Sequence, residues 1–268
     1  MALLKSTGNK KVNLDFNKEF INTFSEKIEN GNIEFINQTL KDLHEADVAN
    51  LIENLNPNTR IKLIELEAFN INPEIFVELN ESIQSEVLQL LSIDSIIKII
   101  KRLESDNAIK ILENLEKDTK EKVLDKLPPK DKFLLEEGLS YPEDSAARIM
   151  QREFTAVPSN WTVGQTIDYL REDKDLPEEF LEIFIVDNDF KPIGTVPSSR
   201  VLRTSRDLKM NSIMIEMPVL ISANMDQEEV GHTFENYNLV SAGVVNKNNK
   251  LVGMIPADDV VTVVQEEA

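Results

Sequence analysis

The chain contains no cysteine, and its only imidazoles are His44 and His232, far apart in the sequence. Without thiols there is no disulfide, no thiolate nucleophile and no Cys-based zinc site, and two distant histidines offer little to a transition metal. No apolar run reaches the roughly 18–20 residues that cross a bilayer, and the opening MALLKSTGNKK lacks the apolar stretch of a signal peptide. The expectation is a soluble, cytoplasmic chain. Basic residues are also short, 29 against 48 acidic, and the resulting net charge of −19 repels polyanions and concentrates cations. Nucleic acid is therefore not an expected partner. No nucleophile–base pair or phosphate loop is visible, so an enzyme is not expected. The 268 residues, 41% of them hydrophobic, suffice for one large domain or two to three small ones.

A twelve-residue repeat runs through the first half. The segments 80–91 (NESIQSEVLQLL), 92–103 (SIDSIIKIIKRL), 104–115 (ESDNAIKILENL) and 116–127 (EKDTKEKVLDKL) follow without a gap, and 44–55 (HEADVANLIENL) belongs with them. The third place holds Ser82, Asp94, Asp106 or Asp118, residue types that cap helix N-termini, and these four are expected to be the caps. Places eight, nine and twelve are aliphatic, as in Ile111, Leu112 and Leu115, and lie along one side of a helix. A helix of two turns is unstable alone, so the units must stack. Asn56-Pro57 opens another helix and Pro128-Pro129 interrupts the last ones.

From about residue 153 β-branched runs appear. IVDNDFKPIGTVPSSRVL (185–202) aligns with VVNKNNKLVGMIPADDVV (244–261) at an offset of 59, matching Lys191 with Lys250, Gly194 with Gly253, Pro197 with Pro256 and Val201 with Val260. Each copy reads strand, polar turn, strand, helix, with Asn188-Asp189 and Asn248-Asn249 as the turn residues. An upstream strand and amphipathic helix precede each (FTAVP and WTVGQTIDYL; PVLIS and MDQEEVGHTF). Two such β-α-β-β-α units bury little alone and are expected to pair face to face. Trp161 is expected to pack in the core at the start of its helix, and His232 to lie at the surface.

This order resembles a tandem pair of CBS domains, in which a Gly-x-hydrophobic-Thr-x-x-Asp junction helps hold an adenosine ribose and phosphate. GMIPADD keeps Gly253 and Asp259 but has Pro256 for Thr; GTVPSSR keeps Gly194 but has Pro197 for Thr and Arg200 for Asp. Asp259 is thus the candidate nucleotide contact, and ATP or AMP is expected to bind weakly or not at all. The junction LSYPEDSAARIM (139–150), followed by FTAVPSNWTVGQTIDYLR, resembles the connector between the helical N domain and the CBS pair of MgtE-type magnesium channels. With the helical repeat and DQEEV (226–230), the resemblance extends from about residue 16 to 268.

What it implies is an α+β fold: a right-handed-type superhelix of short α-helices followed by two CBS domains. The implied domains are a flexible tail at 1–15, the N domain at 16–140, a connector at 141–152, and CBS domains at 153–209 and 210–268. The implied function is non-enzymatic: a Mg²⁺-sensing regulatory region at the cytoplasmic side of the membrane, with Mn²⁺ or Ca²⁺ as substitutes. Ions would bridge the N and CBS domains to favour a compact, pore-closed state. The implied metal residues are Glu74 and Asp106 on the N domain, Asp226, Asp259 and Glu267 on the CBS side, and Ala147 through its carbonyl. Asp258 and Glu266 on the last helix are further candidates, since hard oxygens suit Mg²⁺ and Glu266 and Glu267 oppose the dipole at a helix C-terminus. Lys110, Asn238 and Thr262 stand where the family tends to have aspartates, and Lys110, one turn after Asp106, would repel a cation, so the N-domain site is expected to be weaker or missing. The expected partners are a second copy, forming a homodimer through the CBS domains, and a transmembrane pore domain C-terminal to a chain read as truncated. The alternatives are an adenine-nucleotide-responsive CBS module and a helical scaffold like that of the flagellar motor switch.

Overall fold

The computed structural model describes residues 16–67, 71–177, 180–216 and 219–266, with Glu67, Thr262, Val264, Gln265 and Glu266 by their backbone alone. The chain divides into two compact units: residues up to Leu103 with Lys110–Leu127, and Glu104–Ile109 with the chain from Pro128 onward.

Among the described residues ten helices cover the first half: α1 Lys18–Glu29, α2 Ile33–Lys41, α3 Glu45–Asn54, α4 Pro57–Glu67, α5 Glu74–Glu78, α6 Glu81–Leu90, α7 Ile93–Ile100, α8 Ser105–Glu113, α9 Lys117–Lys126 and α10 Pro129–Ser140. The starts of α6 to α9, at 81, 93, 105 and 117, keep the twelve-residue step. In the first unit α1 packs on α2 and α4, α3 on α5, α4 on α6 and α7 on α9. The aliphatic places of the repeat supply its interior, with Val87, Ile99, Ile111, Leu112 and Val123 all buried. Asn56 opens α4 as expected, its Oδ1 accepting from the Thr59 amide at 3.0 Å.

The capping expectation is corrected. The caps stand at the first place of the unit, where Asn80 accepts from the Ile83 amide and Ser92 from the Ser95 amide. Ser82, Asp94, Asp106 and Asp118 are instead the second residues of their helices. A cap sits on extended backbone, with its oxygen turned onto an amide two or three residues on. Within the first turn, an acid favours the N-terminal end through the helix dipole.

Arg60 locks this unit at a helix end. Its buried guanidinium donates through Nε to the Ile52 carbonyl at 3.1 Å, and through Nη2 to the carbonyls of Glu53 at 3.3 Å and Leu55 at 3.0 Å. Nη1 meets Glu86 Oε2 at 2.7 Å. The carbonyls left over at the end of α3 are thereby satisfied.

The second unit carries the duplicated module. The first copy runs β1 Ala156–Pro158, α11 Val163–Glu172, β2 Glu182–Val186, β3 Pro192–Pro197 and α12 Ser198–Arg203, followed by the strand β4 Ile215–Glu216. The second runs β5 Ile221–Ser222, α13 Gln227–Tyr237, β6 Ser241–Val245, β7 Leu251–Pro256 and α14 Ala257–Glu266. The sheets are ordered β1-β2-β3-β4 and β5-β6-β7, each with one parallel pair followed by antiparallel pairing. Glu182 faces Pro197 as Ser241 faces Pro256, and the register slips after Ile185 as it does after Val244.

Each copy is completed by the segment that leads into the other. β4, ahead of the second copy, pairs with β3 through Gly194↔Glu216 and Thr195↔Ile215. Gln151, ahead of the first, bridges β7 at Met254 with reciprocal backbone bonds of 2.8 and 2.9 Å. Both crossings need a bare backbone: a Cβ on Gly194 would lie 2.6 Å from the Ile215 carbonyl oxygen, and one on Gly253 would lie 2.8 Å from that of Gln151. This accounts for the glycine that both copies keep.

The β2–β3 and β6–β7 turns run through the expected residues. The left-handed residues are Phe190 (φ 63) and Asn249 (φ 58), so the first turn places a phenylalanine, rather than Asn188 or Asp189, in that region. The Phe190 carbonyl accepts from the Leu251 amide at 3.0 Å, tying the two copies together. The reciprocal bond is impossible because Pro192, at the place equivalent to Leu251, has no N–H. Phe184 and Val186 of one copy share a core with Leu251 of the other, with Phe154 and Met254 against them, which is the expected face-to-face pairing. Trp161 packs edge-on to Tyr169 at 5.5 Å on the first copy's core, and His232 is exposed, both as expected.

Candidate functional site

The duplicated module and the first turn of α8 meet within the second unit, and the connector residues 151–153 join them. Glu153 Oε2 accepts from the Ser105 hydroxyl at 2.8 Å, the Ser105 amide at 3.2 Å and the Arg152 amide at 3.1 Å. The Arg152 amide also donates to Ser105 Oγ at 2.8 Å. On the other side of the same strand segment, Gln151 Nε2 donates to Asp259 Oδ2 at 3.1 Å. Sequence reasoning missed Ser105, Gln151, Arg152 and Glu153. The readable connector motif stops at Met150, and a polar run just past it looks like ordinary surface until the bridge to Met254 brings it inside.

These bonds hold two carboxyl groups against each other. Asp106, the second residue of α8, is 7% exposed, and its Oδ1 has no hydrogen-bond partner. Asp259, in the first turn of α14, is part-buried. Burial pushes the Asp106 carboxyl well above the usual carboxylate range, and the charge of Asp259 adds to it, with Glu104 and Glu153 contributing less. Burial likewise pushes Asp259 up to about 7, reinforced by Asp258 and Glu104 and opposed by hydrogen bonds from Gln151 and Asp106. Both acids lie at helix N-termini, where the dipole favours ionisation, so desolvation and mutual repulsion outweigh it. The pair therefore titrates as a unit that retains a proton near neutral pH.

The remaining expected ligands are placed as follows. Asp258 is exposed on α14. Asp226 is the N-cap of α13, its Oδ1 accepting from the Glu228 amide at 2.9 Å. Ala147 is fully buried, and its amide donates to the Ala223 carbonyl at 3.0 Å. Glu74 opens α5 in the first unit, where burial, Glu45 and Glu78 raise its carboxyl. Glu266 is described only by its backbone, and Glu267 lies outside the described residues. Among the described residues no group of three or more His, Cys, Asp or Glu is placed to hold a metal. The structure thus brings together Asp106 and Asp259 from the expected set.

That pair fits Mg²⁺ on chemical grounds. It offers hard oxygens, one of them buried without a partner, and an electrostatic demand for positive charge; Mg²⁺ keeps several waters and needs only one or two carboxylates. At the adenosine junctions the polar groups are already engaged: Asp259 by Gln151, and Arg200 through a 2.7 Å bond from Nη1 to the Ile213 carbonyl.

Comparison with known proteins places this architecture. The chain matches the MgtE intracellular N domain over residues 43–144 and the CBS domain over 146–207 and 210–266. Its class is therefore that of proteins in which a helical N domain precedes a CBS pair. It belongs to the MgtE family and corresponds to that family's N domain and CBS region. It is 28% identical over 130 residues to the magnesium transporter MgtE of Bacillus subtilis (strain 168), an alignment covering 48% of this chain and 29% of that protein. With the magnesium transporter MgtE of Thermus thermophilus it shares 28% identity over 142 residues, covering 53% of this chain and 32% of the relative. The chain thus spans about a third of the length of these relatives. The fold is that of the cytosolic domain of the Mg²⁺ channel MgtE crystallised with ATP (TM-score 0.82, 24% identity, 91% of this chain and 99% of that one). The soluble part of a magnesium transporter shares it too (TM-score 0.78, 22% identity, 94% and 99%). No helix among the described residues is long and apolar enough to cross a membrane.

Proposed function

We propose that this chain is the Mg²⁺-sensing, non-catalytic regulatory region of an MgtE-type magnesium transporter, working at the cytoplasmic side of the membrane on a pore domain. The observation that carries the reading is the Asp106–Asp259 pair. Two carboxyl groups from segments far apart in the chain are held together at an electrostatic cost that a divalent cation relieves. Mg²⁺ joining helical-domain to CBS-domain carboxylates favours the compact state, because an ion shifts such an equilibrium only through its stronger binding to one state. Glu74, Asp226, Asp258, Glu266, Glu267 and the Ala147 carbonyl are the further candidate ligands, and Mn²⁺ or Ca²⁺ would substitute. The protein works as a homodimer through its CBS domains, an isologous arrangement. The similar cytosolic domain was crystallised with ATP. Here Pro197, Pro256 and Arg200 at the junctions, and the engagement of Asp259 by Gln151, make nucleotide a weak ligand.

The test is small-angle scattering and limited proteolysis of the 139–153 connector during a Mg²⁺ titration. Wild type is expected to contract and gain protection, and Asp106→Asn with Asp259→Asn to be insensitive to the ion while folding normally by circular dichroism. A wild type whose radius of gyration and cleavage do not change up to about 20 mM Mg²⁺, enough to saturate a weak carboxylate site, would overturn the reading.

A further inference from the structure

The two helix turns that carry Asp106 and Asp259 are both tied to one short stretch of the connector. Gln151 is fixed twice on the joint between β7 and α14: its backbone exchanges bonds of 2.8 and 2.9 Å with Met254, and its side-chain amide donates to Asp259 Oδ2 at 3.1 Å. Two residues on, Glu153 Oε2 accepts from the amide and the hydroxyl of Ser105, which is 6% exposed and directly precedes Asp106 at the start of α8. The Arg152 amide donates to Ser105 Oγ at 2.8 Å, so the same hydroxyl is held from two sides. Ser105, Asp106, Gln151, Glu153 and Asp259 all belong to the second unit. Asp106 Oδ1 is left without a hydrogen bond, so this end of the tie holds the helix turn rather than that oxygen. The first copy ties the equivalent place with different chemistry. Arg200, where the second copy has Asp259, donates to the Ile213 carbonyl at 2.7 Å, ahead of β4. In both copies the segment leading into the other copy holds the first turn of the last helix, and in the second copy the group held is a carboxyl.

We infer that Gln151 and the Ser105–Glu153 contact form a spacer of fixed width that makes the carboxyl pair selective for Mg²⁺ over Ca²⁺. Mg²⁺ demands near-ideal octahedral oxygens at about 2.0–2.1 Å, whereas Ca²⁺ takes about six to eight oxygens at roughly 2.3–2.6 Å in flexible geometry and accepts a carboxylate through both oxygens. Two helix turns held by one three-residue span, whose peptide units are planar, do not spread to the wider shell. Asp259, with Oδ2 bonded to Gln151, is also hindered from turning both oxygens onto one ion. The tie at Asp259 is a neutral amide, which orients the carboxyl without adding a charge that repels a cation. Groups that orient a ligand from behind set metal affinity by roughly 10–100-fold. Gln151 and Ser105 are thus positioning residues, acting through Asp259 and Asp106. The inference rests on the magnesium reading above.

Gln151→Leu and Ser105→Ala each remove one tie and leave the net charge unchanged, so any effect on ion binding reads geometry rather than charge. Calorimetric titrations with Mg²⁺ and with Ca²⁺, on wild type and on both variants, follow the ratio of the two affinities. Each variant should bind Mg²⁺ about tenfold or more weakly, while its Ca²⁺ affinity stays within about threefold of wild type. The preference for Mg²⁺ shrinks accordingly. A residue that served stability alone would leave the ratio unchanged. Circular dichroism of the metal-free proteins checks the fold, and if Ser105→Ala unfolds, Gln151→Leu, at a part-buried position, carries the test alone. A wild type without preference for Mg²⁺ over Ca²⁺, or a Gln151→Leu protein in which the two affinities fall together or stay as they were, overturns this inference and leaves the magnesium reading standing. A wild type that binds no Mg²⁺ overturns the magnesium reading and this inference with it.

Discussion

Replacing Gly253 with alanine tests how the duplicated module is joined and what that does to the site. The new Cβ would sit 2.6 Å from Met150 Sδ and 2.8 Å from the Gln151 carbonyl oxygen. Met150 can turn aside, but the Gln151 oxygen is backbone and is itself bonded to the Met254 amide at 2.9 Å. Relief therefore requires the connector to move off β7. Overpacking of this kind costs about 1–3 kcal/mol, and each backbone bond weakened at the bridge adds roughly 0.5–1.5 kcal/mol. Alanine returns about 0.5–1 kcal/mol by restricting the unfolded chain. With both bridge bonds weakened the net loss is about 1–5 kcal/mol, which for a unit of this size lowers the melting temperature by roughly 3–15 °C. The same displacement pulls Gln151 from Asp259, so Mg²⁺ affinity should fall in parallel. Scanning calorimetry and a Mg²⁺ titration on one preparation read both effects. Gly194→Ala, which meets the Ile215 carbonyl oxygen at 2.6 Å, should melt early too but leave the Mg²⁺ response intact. A Gly253→Ala protein melting within about 2 °C of wild type, under the expected shift, would refute the claim that the bridge fixes the connector.

The carboxyl pair predicts a pH dependence of known sign. Asp259 is raised from its ordinary value to about 7, so the stability it contributes is present below about pH 4 and is lost as pH rises through about 7. Asp259→Asn should match wild type near pH 4 and exceed it at pH 8 by up to about 4 kcal/mol from the shift alone, less for the solvent that reaches this part-buried group; an unchanged pH profile in urea titrations would contradict it. At the helix starts, Ser92→Ala should cost about 0.5–2 kcal/mol as a lost cap, and Asp94→Ala only about 0.3–1 kcal/mol as a lost dipole contact; equal or inverted losses in denaturant titrations would restore the acids as caps. Arg60→Met should cost about 3–5 kcal/mol, because the α3 carbonyls and Glu86 lose a buried charged partner; a melting temperature matching wild type would show that water replaces the guanidinium.

Patterns tied to backbone period were the legible part of this molecule. The step of twelve gave the starts of α6 to α9 because one aliphatic face per helix must be covered, and the offset of 59 gave the duplicated module down to its shared register slip. The caps were misplaced by two residues because serine and aspartate are plausible both at the cap and in the first turn, and sequence alone does not fix where the backbone turns extended. The candidate site was half legible. Asp106 and Asp259 came from a family resemblance, but their mutual approach depends on a bridge between Gln151 and Met254, more than a hundred residues apart in the chain, and no local pattern signals it. Arg152 was invisible for a related reason: its side chain, 5% exposed, lies beside Gly138 of α10, and a glycine does not announce a buried cation.

The reciprocal lead-in strands bear on how such a module could have arisen. A single copy on its own would expose the edge of its last strand beside Gly194 or Gly253, an unpaired backbone edge that invites association with another chain. The natural remedy is a second copy whose leading segment fills that edge while receiving the same service in return. An ancestor of one copy would therefore have been an obligate strand-exchanging dimer, and fusing two copies into one chain converts that encounter into a folding step at high effective concentration. Once fused, the halves are free to diverge, and Pro192 against Leu251 and Arg200 against Asp259 record how far they have done so. The lasting consequence is that either half, separated from its twin, would again present the bare strand edge that the fusion covers.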